Sequence, residues 1–237
     1  MNYDPTNASV GFDSFGQGSF DPAQEQSFVT KVFNWMFMGL GASAVSAFVF
    51  ASNPEYMRVL YSNQFLYWGL ALGLLALVWY LTANITKMSF QAATISFFIY
   101  ALLNGVLLSS ILVIYTSASL FTTFFVAAAT FAAMALYGAT TKKDLTGMGS
   151  MLFMALLGLI IASVVNMFLR SDMMSTIISY AGVLIFVGLT AYDVQKIKRI
   201  GQSANYHPNY AITGALALYL DFINLFLHLL RIMGRRR

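Results

Sequence analysis

Two aspartates stand where apolar side chains would be expected. Asp193 lies in VGLTAYDVQKIKRI (187–200) and Asp221 in GALALYLDFINLFLHLLRI (214–232). The chain has nine acidic residues, and these two are the ones set into long hydrophobic runs. An ionised carboxylate in hydrocarbon costs at least ~2.5 kcal/mol on insertion scales, so it is kept only with a partner or a task. At 100° per residue, Asp221 shares a helix face with Gly214, Ala217, Asn224, Leu225 and His228. Asp193 shares its face with Ser175, Ser179, Gly182, Phe186 and Leu189. Two tracks of small and polar residues, each carrying an aspartate, predict a shared polar interior between successive helices.

The two acids are not equally secure. Asp221 lies about eleven residues, or ~16 Å, into its segment, too deep for a surface residue. Asp193 is beside Lys196 at the end of its run, where an ordinary interfacial residue would fit as well. Asn224, His228, Ser175 and Ser179 are the remaining candidates for contact with an ion on this track. Asn104 and Asn166 are expected to act as hydrogen-bond glue between helices. His207 is expected to be solvated in a polar loop.

Other chemistry finds no support. The chain has no cysteine, which excludes disulfides, thiol catalysis and Cys-based metal sites. An intramembrane aspartyl protease needs a Gly-x-Gly-Asp motif beside its Tyr-Asp. Tyr192-Asp193 is present, but Asp221 follows Leu-Tyr-Leu. No metal-hydrolase or nucleotide-binding motif occurs, so no catalytic residue, no enzyme activity and no cofactor is expected.

Composition fixes the solvent. Hydrophobic residues make up 59% and charged residues 9% of 237, against about 25% charged in soluble chains. That much apolar surface needs a lipid bilayer. The net charge of +4 is not arranged as a basic stripe with interleaved aromatics, so nucleic acid is not a partner. Residues 1–27 contain two prolines, three aspartates and no apolar run. They predict a disordered polar tail and not a signal peptide.

Seven apolar segments follow, at about 31–51, 65–83, 90–115, 120–139, 148–169, 173–194 and 210–233. Each supplies roughly the ~20 residues needed to cross ~30 Å of hydrocarbon. Only helices satisfy their own backbone over such a length, so an all-α membrane protein with a transmembrane domain at 28–234 is predicted. The first segment is rich in small residues that let helices approach closely; the Gly69–Gly73 pair in the second carries little weight. A polar loop is expected at 53–64 and a basic loop from Lys196, with a short basic tail at 235–237. One set of alternate loops carries Lys31, Lys87, Lys142, Lys143, Lys196, Lys198 and Arg199, which predicts a cytoplasmic N-terminus. The last segment either dips and returns or crosses; its unbroken helical pattern favours a crossing, which puts the C-terminus on the opposite side.

Three stretches, LYGATTKKDLTGMGSMLFMALLG (136–158), VGLTAYDVQKIK (187–198) and GALALYLDFINLFLHLLRI (214–232), resemble the Bax inhibitor-1 family, in particular its bacterial inner-membrane branch. The likeness runs from about Phe28 to the end. It implies a seven-helix bundle with the last helix in the centre. It implies a pH-sensitive leak of Ca²⁺ or another cation, sensed by an aspartate pair that matches Asp193 and Asp221. Family gates are described with an arginine in the second helix; here 65–83 has no charged residue, Arg58 precedes it and Lys87 follows.

The chemistry of such a pair is simple. Two carboxylates in a low-dielectric site share a proton, and the titration belongs to both. With the proton bound, the pair joins the last two helices. Without it, like charges repel and a cation is attracted, with Asp193 and Asp221 as transient Ca²⁺ ligands helped by Asn224. The competing expectation, also from the resemblance, is a non-transporting regulator that binds a membrane-bound ATP-dependent protease or other membrane partners.

Overall fold

The computed structural model describes residues 22–203 and 207–237. They form α1 (Pro22–Ser52), α2 (Pro54–Ser62), α3 (Gln64–Asn84), a 3-10 turn (Ile85–Lys87), α4 (Phe90–Ile114), α5 (Ser117–Thr140), α6 (Thr146–Leu169), α7 (Asp172–Gly201) and α8 (Tyr210–Met233). Every helix except α2 belongs to a segment long and apolar enough to cross a membrane, which makes seven such segments. The protein is an all-α membrane bundle. The expected polar tail lies outside the described residues as far as residue 21; from Pro22 the chain is helical.

Two segments differ from the sequence expectation. The polar loop at 53–64 contains α2, because Asn53 accepts a hydrogen bond from the Glu55 amide and Pro54 occupies the first helical position. Leu60 is buried and the Met57 sulfur accepts from Ser109 Oγ, so α2 rests one face on α4. The basic loop from Lys196 is instead the last two turns of α7, which continues to Gly201. Lysine and arginine in a last helical turn complement its exposed carbonyls.

α8 is in the centre. A helix buried around most of its circumference sits inside a bundle, and α8 buries Ile212, Leu216, Leu218, Asp221, Phe222 and His228, which point in widely different directions around its axis. It packs against α1, α4, α5, α7 and the 3-10 turn. Phe222 sits edge-on to Phe124 and Phe131 of α5. Tyr219 does the same to Phe97 and Tyr100 of α4. At its start, Asn209 Nδ2 donates to the carbonyls of Ile85 (2.6 Å) and Met88 (2.7 Å). α6 is peripheral and packs mainly on α7.

A relay of hydrogen bonds crosses the core. Asn104 Nδ2 donates to the Tyr219 hydroxyl (2.7 Å), which lies 2.6 Å from Ser43 Oγ, and Ser43 donates to the Ala101 carbonyl (2.7 Å). It ties α1, α4 and α8 together in a medium with no water to replace these partners. Asn104 is therefore the interhelical glue expected. Asn166 is not: its Oδ1 accepts from the Ser171 amide (3.0 Å), because the chain turns sharply at Arg170, whose φ is 52°. A side-chain acceptor there serves the turn.

Small residues set the helix spacing. Gly39, Ser43 and Ala47 are buried one turn apart on α1. A Cβ on Gly105 of α4 would come within 2.4 Å of the Ser43 carbonyl oxygen. Gly69 and Gly73, by contrast, have nothing within 4 Å of an added Cβ. We therefore expect Gly105→Ala to lower the thermal unfolding midpoint in detergent sharply, by overpacking worth about 1–3 kcal/mol, while Gly69→Ala leaves it within error. Equal effects would contradict the packing described.

Candidate functional site

α7 and α8 are joined by a short connection and run antiparallel, so their polar tracks face each other. Asp193 and Asp221 meet with their carboxyl groups within hydrogen-bonding reach. Both helices continue past the pair towards the same end, α7 for another two turns and α8 back to Tyr210. The extension of α7 places Asp193 well inside its helix, at a depth that Asp221 can match.

Asp221 is 5% exposed, and its Oδ2 has no hydrogen-bond donor. Two carboxyl groups this close repel one another when both are ionised. The basic group acting on the pair is Lys196, one turn along α7 from Asp193. α3 carries no charged residue. Three or more metal-ligating side chains do not cluster anywhere among the described residues. A cation at the pair would thus have two carboxylates where Ca²⁺ prefers six to eight oxygens.

The tracks continue away from the pair. His228 is buried and stacks on Phe186, with ring centroids 5.8 Å apart. Its ring fills the space over Gly182, where an added Cβ would lie 2.4 Å from it. Its Nδ1 is buried without a partner. The named residues Gly182 and Phe186 on α7 thus meet His228 on α8, as the shared-interior expectation requires. Asn224 is turned back on its own helix: Nδ2 donates to the Leu220 carbonyl (2.8 Å). Ser179 donates to the Ser175 carbonyl (2.8 Å). Both serines lie farther along, lining a cavity of about 230 Å³ at the end where α8 finishes.

A second cavity, of about 250 Å³, opens at the opposite end and is lined by Lys142, Lys143, Asp144, Gln195, Lys198 and Arg199 among others. Neither cavity is lined by Asp193 or Asp221. Buried Leu189, Phe186, Leu225 and His228 belong to the same two tracks. The first cavity thus lies between α7 and the end of α8, and the second between α7 and the α5–α6 connection.

One network was missed from the sequence. Gln195 Oε1 accepts from the Leu145 amide (2.9 Å) and from Arg199 (2.8 Å), while its Nε2 donates to the Lys143 carbonyl (2.8 Å). Arg199 also pairs with Asp144, whose Oδ1 accepts from the Thr146 amide and hydroxyl as well. This network clamps the α5–α6 connection to α7 two residues beyond Asp193. The residues lie in the TTKKDLTG (140–147) and AYDVQKIKR (191–199) stretches, far apart in the sequence, and only contact joins them. Close approach helps: a Cβ on Gly138 would lie 2.2 Å from the Ala191 carbonyl oxygen.

The fold and the seam define a class: a seven-helix membrane protein with a buried aspartate on its central helix and a half-buried one facing it from the preceding helix. The family model described as inhibitor of apoptosis-promoting Bax1 matches residues 25–237. Inner membrane protein YbhL of Escherichia coli K12 is 48% identical over 217 residues, covering 90% of this chain and 93% of that protein. An uncharacterized protein of Borreliella burgdorferi is 45% identical over 217 residues, covering 90% and 94%. An uncharacterized membrane protein of Streptococcus pyogenes is 41% identical over 212 residues, covering 88% and 92%. The chain belongs to the Bax inhibitor-1 family.

Hydrogen bonds from Arg199 and Thr146 hold the Asp144 carboxyl below the usual carboxylate range. A lowered value means that the clamp is fully present above the ordinary range, ~3.9, and is lost only as pH falls through the lower folded value. We expect Arg199→Gln to raise the Asp144 midpoint towards ~3.9 in an NMR titration, with a small, salt-sensitive change in unfolding temperature because the pair is exposed. An unchanged midpoint would show that Arg199 does not hold this carboxyl.

Proposed function

We propose that this protein is a multi-pass protein of a bacterial inner membrane that passes Ca²⁺ or a related cation down its gradient, under control of the proton shared by Asp193 and Asp221. The observation that carries this reading is the contact of the two carboxyl groups across the α7–α8 seam, with no donor on Asp221 Oδ2. With the proton in place, the pair joins α7 to the central helix and the seam is shut. Loss of the proton leaves two negative charges in a low-dielectric site. They repel, which loosens the seam, and together they attract a cation. Ca²⁺ suits oxygen ligands, and an incomplete ligand set releases the ion again. Lys196 is the basic residue one turn along α7 from Asp193, and α3 offers no arginine to act as a latch. Leak therefore rises with pH and falls as the pair takes up its proton.

The test is Ca²⁺ flux into liposomes holding the purified protein, measured across a pH series. Asp221→Asn and Asp193→Asn each replace a charge by a neutral group that still hydrogen-bonds, so flux should stay near the low-pH level at every pH. Flux and pH dependence unchanged in both variants would sink the gating role. Absence of flux from the pure wild-type protein would leave the reading of a regulator acting through a membrane partner.

Orientation belongs to the same proposal. The start of α1 and the residues after α8 lie at opposite ends of the bundle: Glu25 of α1 pairs with Lys198 near the end of α7, whereas Arg236 pairs with Tyr115 after α4. Lys142, Lys143, Lys196, Lys198 and Arg199 gather at the α7–α8 end, which we place in the cytoplasm. A reporter fused after Arg237 should then be active only as an exported reporter; activity of a cytoplasmic one would reverse the assignment.

A further inference from the structure

The last three arginines do not trail away from α8. Arg235 to Arg237 run alongside the α4–α5 connection. The Thr116 amide donates to the Arg235 carbonyl (3.1 Å), and the Arg237 amide to the Ile114 carbonyl (2.9 Å). Tyr115 and Arg236 form the bridging pair between them. The Arg235 amide donates to Ser119 Oγ (2.9 Å). This short two-stranded contact fixes the backbone of Arg236 at the mouth of the cavity of about 230 Å³.

That cavity is lined by Tyr115, Ser175, Ser179, Tyr180, Arg231 and Arg236, with Thr176 and Ile232, and no acidic residue lines it. Arg231 comes from the last turn of α8 and Arg236 from the pinned tail, so two separate elements each bring an arginine to the lining of one hollow. Neither enters an ion pair among the described residues, where the pairs are Lys198–Glu25 and Arg199–Asp144. The Ser179 and Thr176 hydroxyls are spent on carbonyls of their own helix. Two like charges facing one cavity repel unless an anion lies between them. A guanidinium presents a planar fork of donors that matches the oxygens of phosphate.

We propose that this cavity is a binding site for a phosphate group, held between Arg231 and Arg236. The hollow has room for a tetrahedral oxyanion, and it sits where transmembrane helices end, at the depth of lipid headgroups. The phosphate is carried either by a phospholipid headgroup or by a soluble ion. The readout is binding, so its failure is separable from a failure of the cation reading.

The experiment uses the purified full chain in detergent. Thermal unfolding is followed with inorganic phosphate against chloride at matched ionic strength, and retention of phosphatidylglycerol is followed by native mass spectrometry. The wild type should show a saturable rise in unfolding temperature with phosphate, or retain one phosphatidylglycerol per chain. Arg231→Gln and Arg236→Gln should each weaken that binding about tenfold, the loss of a charge-assisted contact; Arg236→Lys should recover part of it. Arg236 lies outside the packed helices, so its replacement tests the site without threatening the fold. Lys142→Gln, at the other end of the bundle, should change nothing. Lipid retention that phosphate does not displace assigns the headgroup as the source. Stabilisation by phosphate without retained lipid assigns a soluble anion. No binding by the wild type, or binding undiminished in both arginine variants, would overturn the proposal.

Discussion

A carboxyl group buried in a membrane bundle must be answered by something beside it, and here the answer is a second carboxyl. Asp221 is almost wholly buried on the central helix, and Asp193 reaches it from the helix that precedes it. Much of the local architecture serves this contact. α7 continues two turns beyond Asp193 so that the acid lies inside a helix and not at its frayed end. The Gln195 and Arg199 network then clamps that extension to the α5–α6 connection. Gly138 and Gly182 allow the neighbouring backbone and the His228 ring to come close enough for α7 to sit tightly in place.

The remaining polarity of the core does a different job. Asn104, Tyr219 and Ser43 form a closed relay whose members satisfy one another, so they bind α8 to α1 and α4 without offering an ion anything. The seam between α7 and α8 is unlike this, because Asp221 Oδ2 and His228 Nδ1 are buried and unanswered. A buried carboxyl oxygen without a donor is costlier than an unpaired hydroxyl or amide oxygen, such as those of Thr94 and Asn209, because it can carry charge. That contrast separates structural from functional polarity within a single helix: Tyr219 and Asp221 are two residues apart.

Much of this was legible in the sequence. The seven crossings followed from the length of the apolar runs. The facing tracks of α7 and α8 followed from the 100° step, which grouped Gly182 and Phe186 with Asp193, and His228 with Asp221. Family likeness supplied the pairing of the two acids. Other features needed three dimensions. α2 is polar enough to pass for a loop, and its cap and one buried leucine make it a helix. The basic run after Asp193 suggested a loop because charge implies water, yet a helix can leave the hydrocarbon without ending. Asn166 carries the same side chain as Asn104, but its place in a left-handed turn gives it a local partner. The pinning of Arg236 to Tyr115 rests on backbone hydrogen bonds between segments 121 residues apart, which no local pattern encodes.

The central claim is that a single proton joins Asp193 to Asp221 and shuts the seam. Infrared difference spectroscopy of the protein in lipid, taken across a pH titration, observes that proton through the carbonyl stretch of a protonated carboxyl group. The account predicts one such band in the wild type, lost as pH rises and missing or displaced in both Asp193→Asn and Asp221→Asn. A wild type with no titrating carboxyl band, or one that both substitutions leave untouched, would contradict it.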